Sequence, residues 1–211
     1  MRKLRLPTLS ALALGTALFF TGMSAHAQSA STITAPISSL DQALDSIQRE
    51  NSGSFAVRTA KLAPVIDQTY DLEAVLRSSV GASRYMQLSD AEKQKLLATF
   101  REYTIARYLS SFKPGSNAKF ELSSEVRNSP VGSDRIVSTK IGPADDFSTA
   151  RDINYVMRQE NGSWKIVDVL LDGHISQAAA QRSDFGSTLA SGGVNGLITV
   201  LSQKVKTFSE E

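Results

Sequence analysis

The sequence has 211 residues, 41% hydrophobic and 21% charged, with two His and no Cys. That length holds one domain, or two small ones. The missing Cys excludes disulfides, thiolate metal sites, a Cys nucleophile and a lipidated N-terminal Cys. The formal charge of +2 belongs to the N-terminus. Arg2, Lys3 and Arg5 precede the uncharged apolar stretch Leu9 to Phe20, and Ala25-His26-Ala27 supplies a small-x-small cleavage pattern. Residues 1–27 therefore read as a signal peptide cut near Ala27. The apolar stretch is too short for the ~20 residues that span a bilayer. Removing it leaves 20 basic against 21 acidic residues, a charge of −1 on 184 residues. No polybasic run survives, which argues against a nucleic-acid partner.

Residues 28–39 are rich in Ser, Thr and Ala and read as a flexible arm. Leu40, Ala43, Leu44 and Ile47 then recur with helical period. The run 51–54 breaks that helix. A second spans about 55–69, with Pro64 demanding a kink or a fresh start. Asp71 caps a short helix, Leu72 to Val80, closed by Gly81. Ser89 and Glu92 form a capping box for a helix of about six turns. It carries Leu96, Phe100, Tyr103, Arg107 and Tyr108 and stops at Lys113-Pro114-Gly115.

The period then changes to two. Strands are predicted over about 119–127, 135–141, 152–159 and 164–171, with a loop at 145–149 and a tight Asn161-Gly162 turn. Counting outward from that turn places Met157 opposite Ile166, Tyr155 opposite Asp168, Ile153 opposite Leu170, Val156 opposite Val167 and Asn154 opposite Val169. Helix returns at 175–182, 185–190 (capped by Ser183-Asp184) and 194–208. The fold class is α+β: an antiparallel meander of about four strands covered by N- and C-terminal helices.

Catalytic signatures are scarce. The mature chain keeps one imidazole, His174, and has no phosphate loop, no nucleophile elbow and no metal-ligand spacing; no metal and no cofactor is expected. Asp168 sits mid-strand among Ile166, Val167, Val169 and Leu170, where a carboxylate is costly unless bonded. It reads either as a structural carboxylate bonded to Tyr155, an Arg or a backbone amide, or as a general base; the structural reading is favoured.

Several segments together resemble the MlaC family of periplasmic phospholipid carriers. They are Tyr70-Asp71-Leu72, Gly81, Leu88 to Glu92, Phe100, Tyr103 and Tyr108, Val137 to Ile141, Ile153 to Tyr155, Asn161 to Val169, Gly173 to Ser176, Arg182 to Phe185, and Gly193 through Gly196-Leu197. Tyr85 stands where the family often has Trp. Some pieces are also similar to its hopanoid-associated branch. The resemblance implies an NTF2/cystatin-like fold over residues 40–208, as a single lipid-binding domain with an apolar pocket between sheet and helices. It implies a shuttle for phospholipid or a hopanoid-type lipid between an inner-membrane ABC transport complex and an outer-membrane lipoprotein complex, and no catalysis. The pocket residues expected are Phe100, Tyr103, Phe120, Val137, Ile153, Tyr155, Met157, Ile166, Val169 and Leu170. The competing readings are an enzyme using Asp168, Tyr155 and His174, and a non-catalytic exported adaptor.

Overall fold

Hydrophobic period decides most of the architecture. The computed structural model describes residues 24–210, with side chains from Ile33 onward. The expected signal peptide lies outside the described residues except for its end. The helices are α1 (Ser24–Gln48), α2 (Phe55–Thr69), α3 (Leu72–Val80), α4 (Ala82–Met86) and α5 (Asp90–Ser111). The strands follow as β1 (Ala118–Asn128), β2 (Arg135–Pro143), β3 (Arg151–Glu160), β4 (Ser163–Leu171) and β5 (Ile175–Ser176), and α6 (Gln177–Ser209) closes the chain. The sheet is antiparallel in the order β1-β2-β3-β4-β5, so the α+β reading holds with one short strand added.

Three local expectations change. The segment 28–39, read as a flexible arm, is helical and belongs to α1. Ile33, Ile37, Leu40, Leu44 and Ile47 are all buried, at alternating spacings of four and three that form one helix stripe. Its polar neighbours hid the first two of them. Pro64 does not divide α2, which runs unbroken past it. Ser183-Asp184 starts no new helix either: α6 is continuous until Gly193, whose φ of 59° and ψ of −157° break it.

Side-chain capping places the helix starts. The Asp71 carboxylate accepts from the Ala74 amide at 2.9 Å, and Ser89 with Glu92 forms the full capping box. Gly81, at φ 91°, ends α3. A Cβ there would lie 3.0 Å from the Arg182 guanidinium of α6, so the glycine also lets α6 approach. Beside it the Ser79 hydroxyl donates to Gln181 at 2.7 Å, within a buried α3–α6 contact.

The strand register departs from simple counting. Asn161 and Gly162 have positive φ and make the tight turn, and Met157 pairs with Ile166 as expected. The next pair is Val156 with Asp168. Val167 is therefore an extra residue, a β-bulge, and every later pair shifts by one. Tyr155 faces Val169, Asn154 faces Leu170, and Ile153 faces Leu171. The expected pairings Tyr155–Asp168, Ile153–Leu170, Val156–Val167 and Asn154–Val169 are corrected accordingly. A second irregularity lies between Leu122 and Val126 on β1. The face toward the helices carries Val137, Tyr155, Met157, Ile166 and Val169 within the core, with Phe120, Leu122, Val126, Ile153 and Leu171 packed against it. α1 runs along β1 and reaches β4, and α5 packs on α6, α2 and α3.

Asp168 joins sheet to helix. Its carboxylate accepts from the Ser176 hydroxyl, from the Ala178 amide at 3.1 Å and from its own neighbour Val169 at 2.8 Å. Ser176 in turn caps α6 by accepting from the Ala179 amide at 3.0 Å. A mid-strand carboxylate thus answers the positive end of the last helix. Removing it takes this acceptor from all three donors, at about 1–3 kcal/mol for each that water does not reach. Asp168→Ala is expected to lower unfolding stability by roughly 2–4 kcal/mol in urea titrations, and Asp168→Asn, which keeps an acceptor oxygen, by clearly less.

Candidate functional site

A cavity of about 260 Å³ opens between the sheet and the helices. Leu44 of α1, Tyr108 and Phe112 at the end of α5, Ile141 of β2, Ile153 and Tyr155 of β3, and Val169 and Leu171 of β4 form its apolar wall. Arg107, Ser111, Arg151 and Gln177 supply its polar positions. The floor exists because the Val167 bulge puts both Ile166 and Val169 on the helix-facing side, which strict alternation forbids.

The end of α5 is held in place by a charged side chain. Arg58 of α2, 8% exposed, donates to the Leu109 carbonyl at 3.0 Å, one of the carbonyls a helix C-terminus leaves without a partner. This fixes the turn bearing Tyr108 and Phe112. The Tyr108 and Tyr70 hydroxyls are hydrogen-bonded to each other, and the Phe112 ring packs on Phe120 with centroids 5.5 Å apart. Burial raises the phenol pKa of Tyr155 well above its ordinary value, and the nearby Tyr108 and Asp41 add to the shift. Asp41 stands one helical turn before Leu44. Its Oδ1 is buried without a hydrogen-bond partner, and burial pushes its pKa up to about 7.

The expected pocket residues separate into groups. Ile153, Tyr155 and Val169 line the cavity. Phe120 packs beside it on Phe112. Val137, Met157 and Ile166 are fully buried in the core next to it. Phe100 and Tyr103 border instead a crevice of about 10 Å³, shared with Tyr70, Leu72 and Val75, and Tyr103 packs on Phe208 of α6. Leu170 falls on the opposite sheet face, across from Asn154 and Ser176. Leu171 occupies the place it was expected to fill.

As pocket residues, sequence reasoning passed over Leu44, Arg107, Tyr108, Ser111, Phe112, Ile141, Arg151, Leu171 and Gln177. Phe112 follows Tyr108 by four residues on the same face of α5, a signal the stripe already contained. The rest depend on register and docking.

The acid–base trio does not assemble. The Asp168 carboxylate is taken up by Ser176 and Ala178, Tyr155 faces the helices from the other side of the sheet, and His174 is exposed with Nδ1 2.7 Å from the Asp172 carbonyl. Among the described residues no cluster of His, Asp and Glu is placed to hold a metal ion. No helix among them is long and apolar enough to cross a membrane.

The model of the MlaC protein family matches residues 38–203. The chain belongs to the MlaC family. Among solved structures, this MlaC-family chain is similar to a phospholipid-binding protein from Ralstonia solanacearum determined in complex with a phospholipid. The two are 16% identical with a TM-score of 0.68, covering 84% of this chain and 98% of that one. At that identity the likeness speaks for the fold. None of the curated proteins compared matches the chain.

The isolated carboxylate of Asp41 makes a pH prediction. Its folded pKa lies above the ordinary carboxylate value, so the folded state binds the extra proton, and this group's contribution to stability falls as pH rises from 3.8 to about 7. At roughly 1.4 kcal/mol per unit the cost above that range is at most about 4 kcal/mol. Asp41→Asn is expected to melt higher than wild type at pH 8, with the gap closing toward pH 4. Thermal melts across that range check it.

Proposed function

We propose that this MlaC-family chain is a non-catalytic carrier that binds a phospholipid or a related lipid tail-first between its sheet and its helices. The observation that carries the proposal is the apolar cavity walled by Leu44, Tyr108, Phe112, Ile153, Tyr155 and Val169. Support comes from the family fold, and from the similar Ralstonia protein having been solved with a phospholipid. The same reading makes the chain a periplasmic shuttle between an inner-membrane ABC transport complex and an outer-membrane lipoprotein complex. It is exported by residues 1–27 and acts as one lipid-binding domain. Cleavage after Ala27 spares the buried stripe of α1 from Ile33 to Ile47.

The magnitudes explain why lipid needs a carrier. Each methylene taken from water is worth ~0.8 kcal/mol, so two acyl chains with roughly 28 methylenes resist release into water by about 20 kcal/mol. Transfer is practical only where pocket replaces membrane at nearly constant buried area. The cavity of about 260 Å³ lies below the ~300–1,000 Å³ usual for ligand sites. Taking two chains therefore requires the helices to move off the sheet, and the crevice at Phe100 and Tyr103 is the place for the cavity to extend.

Native mass spectrometry with organic extraction of the mature protein is expected to find co-purifying lipid, phospholipid or hopanoid-type. A protein repeatedly lipid-free and unable to take lipid from vesicles would overturn the proposal. Ile153→Trp, which fills the cavity from β3, is expected to cut lipid occupancy at least several-fold with the fold retained by circular dichroism. Unchanged occupancy would move the binding site elsewhere.

A further inference from the structure

Two spaces meet at α1. Leu44 faces the apolar cavity, while Asp41, Asp45 and Gln48 line a surface cleft of about 620 Å³ whose opposite wall is Ala118 to Phe120 of β1. The partition between them is thin. Phe112 belongs to the cavity and Phe120 to the cleft, and their ring centroids lie 5.5 Å apart. Phe120 is half-buried, and its partner on β2, Ile141, again lines the cavity.

The seam between α1 and the sheet is fastened at one end. Gln48, the last residue of α1, donates to the Ala118 carbonyl at 2.6 Å and accepts from the Ala118 amide at 2.7 Å and the Ser116 hydroxyl at 3.0 Å. From Asp41 to Ile47 no hydrogen bond or ion pair crosses from α1 to a strand. Apolar contact closes that stretch, and at its head stands Asp41 with Oδ1 buried and unpartnered.

The charges around Asp41 do not answer it. On α1, Asp45 and Arg49 pair with each other; on β1, Lys119 pairs with Glu121 and lies over the Phe147 ring at 4.4 Å. On α2, Arg58 and Lys61 bond the Leu109 and Ser52 carbonyls and Asp67 grips Arg101. On β4, Lys165 bonds the Gln68 carbonyl and Asp168 the Ser176 hydroxyl. Asp41 acts instead on the phenols of Tyr108 of α5, which Arg107 also reaches, and of Tyr155 of β3. Burial raises both phenols, so they stay neutral where Asp41 titrates.

We propose that the cleft between α1 and β1 is the portal through which acyl chains enter and leave the cavity, with the Phe120 ring as its door and Asp41 as its latch. The inference rests on the carrier reading above and adds the route. Rotation of Phe120 on the edge strand joins cleft to cavity without unfastening Gln48. A protonated Asp41 is tolerated in the closed wall. An ionised one needs water, which the cleft supplies only as the wall loosens. Opening therefore releases a proton from a group whose pKa burial holds at about 7, and it is favoured as the pH rises through neutrality.

The chain has no Cys, so Asp45→Cys with Lys119→Cys introduces two unique thiols, one on each wall of the cleft. Mature protein loaded with fluorescent phosphatidylglycerol is mixed with unlabelled phosphatidylcholine vesicles, and the rate of label transfer is read. Bridging the thiols with a short bismaleimide is expected to slow transfer at least tenfold against the same variant unbridged. Phe120→Ala should speed it several-fold. Wild-type transfer should rise several-fold between pH 6 and pH 8, and Asp41→Asn should hold the slow rate throughout. A bridged protein that transfers as fast as the unbridged one, or Phe120→Ala at the wild-type rate, overturns the portal and leaves the carrier standing. A wild-type rate independent of pH, or Asp41→Asn with the wild-type pH profile, overturns the latch. Folded wild type that takes up no label overturns the carrier itself.

Discussion

The carboxylate of Asp168 fixes where the last helix begins, and much of the molecule follows from that point. By accepting from Ser176 and Ala178 it sets the start of α6 against β4. That start puts Gln177 in the cavity lining, Gln181 on Ser79, and Arg182 over Gly81. The stretch of α6 before the break at Gly193 then lies on α3, and the helix as a whole packs along α5. A charged residue in the middle of an apolar strand is therefore an anchor whose cost is met by three donors.

The second constraint is parity. A strand offers its side chains alternately to two faces, and one extra residue exchanges them. Val167 adds that residue to β4, whereas the irregularity between Leu122 and Val126 on β1 adds two and keeps both residues on the same face. Bulges bend and twist a sheet locally. Here they flank the regular β2–β3 pairing, and the cavity lies on the side toward the helices, between β2, β3 and β4 and the end of α5.

Much of this was legible in the sequence. The caps at Asp71 and Ser89, the Asn161-Gly162 turn and the change of period after Gly115 each act within a few residues, so local chemistry specifies them. The preference for a structural Asp168 also held: of the expected partners the backbone amide is the one found, at Ala178 and Val169, joined by the unexpected Ser176 hydroxyl, and Tyr155 is not a partner. What escaped was non-local. Nothing near Val167 in the sequence announces a bulge: the apolar run Ile166, Val167, Val169, Leu170 and Leu171 fits either register. Leu44, Ile141 and Arg151 reach the cavity only through docking of α1 on the sheet and through pairing between strands distant from them in the chain. Ile33 and Ile37 were local, but they stand among Ser, Thr and Pro whose composition resembles a loop.

β1 is the long edge strand of the sheet, eleven residues against two in β5 at the other edge. An open edge of that length is a template on which another chain can add a strand. This one interrupts its own hydrogen-bonding row between Leu122 and Val126, and it carries exposed Lys119, Glu121, Glu125 and Arg127, the first two paired at 2.8 Å. At its start the Gln48 side chain of α1 also takes up both backbone groups of Ala118, at 2.6 and 2.7 Å, so charge, the interrupted row and one helix side chain together guard the edge against aggregation.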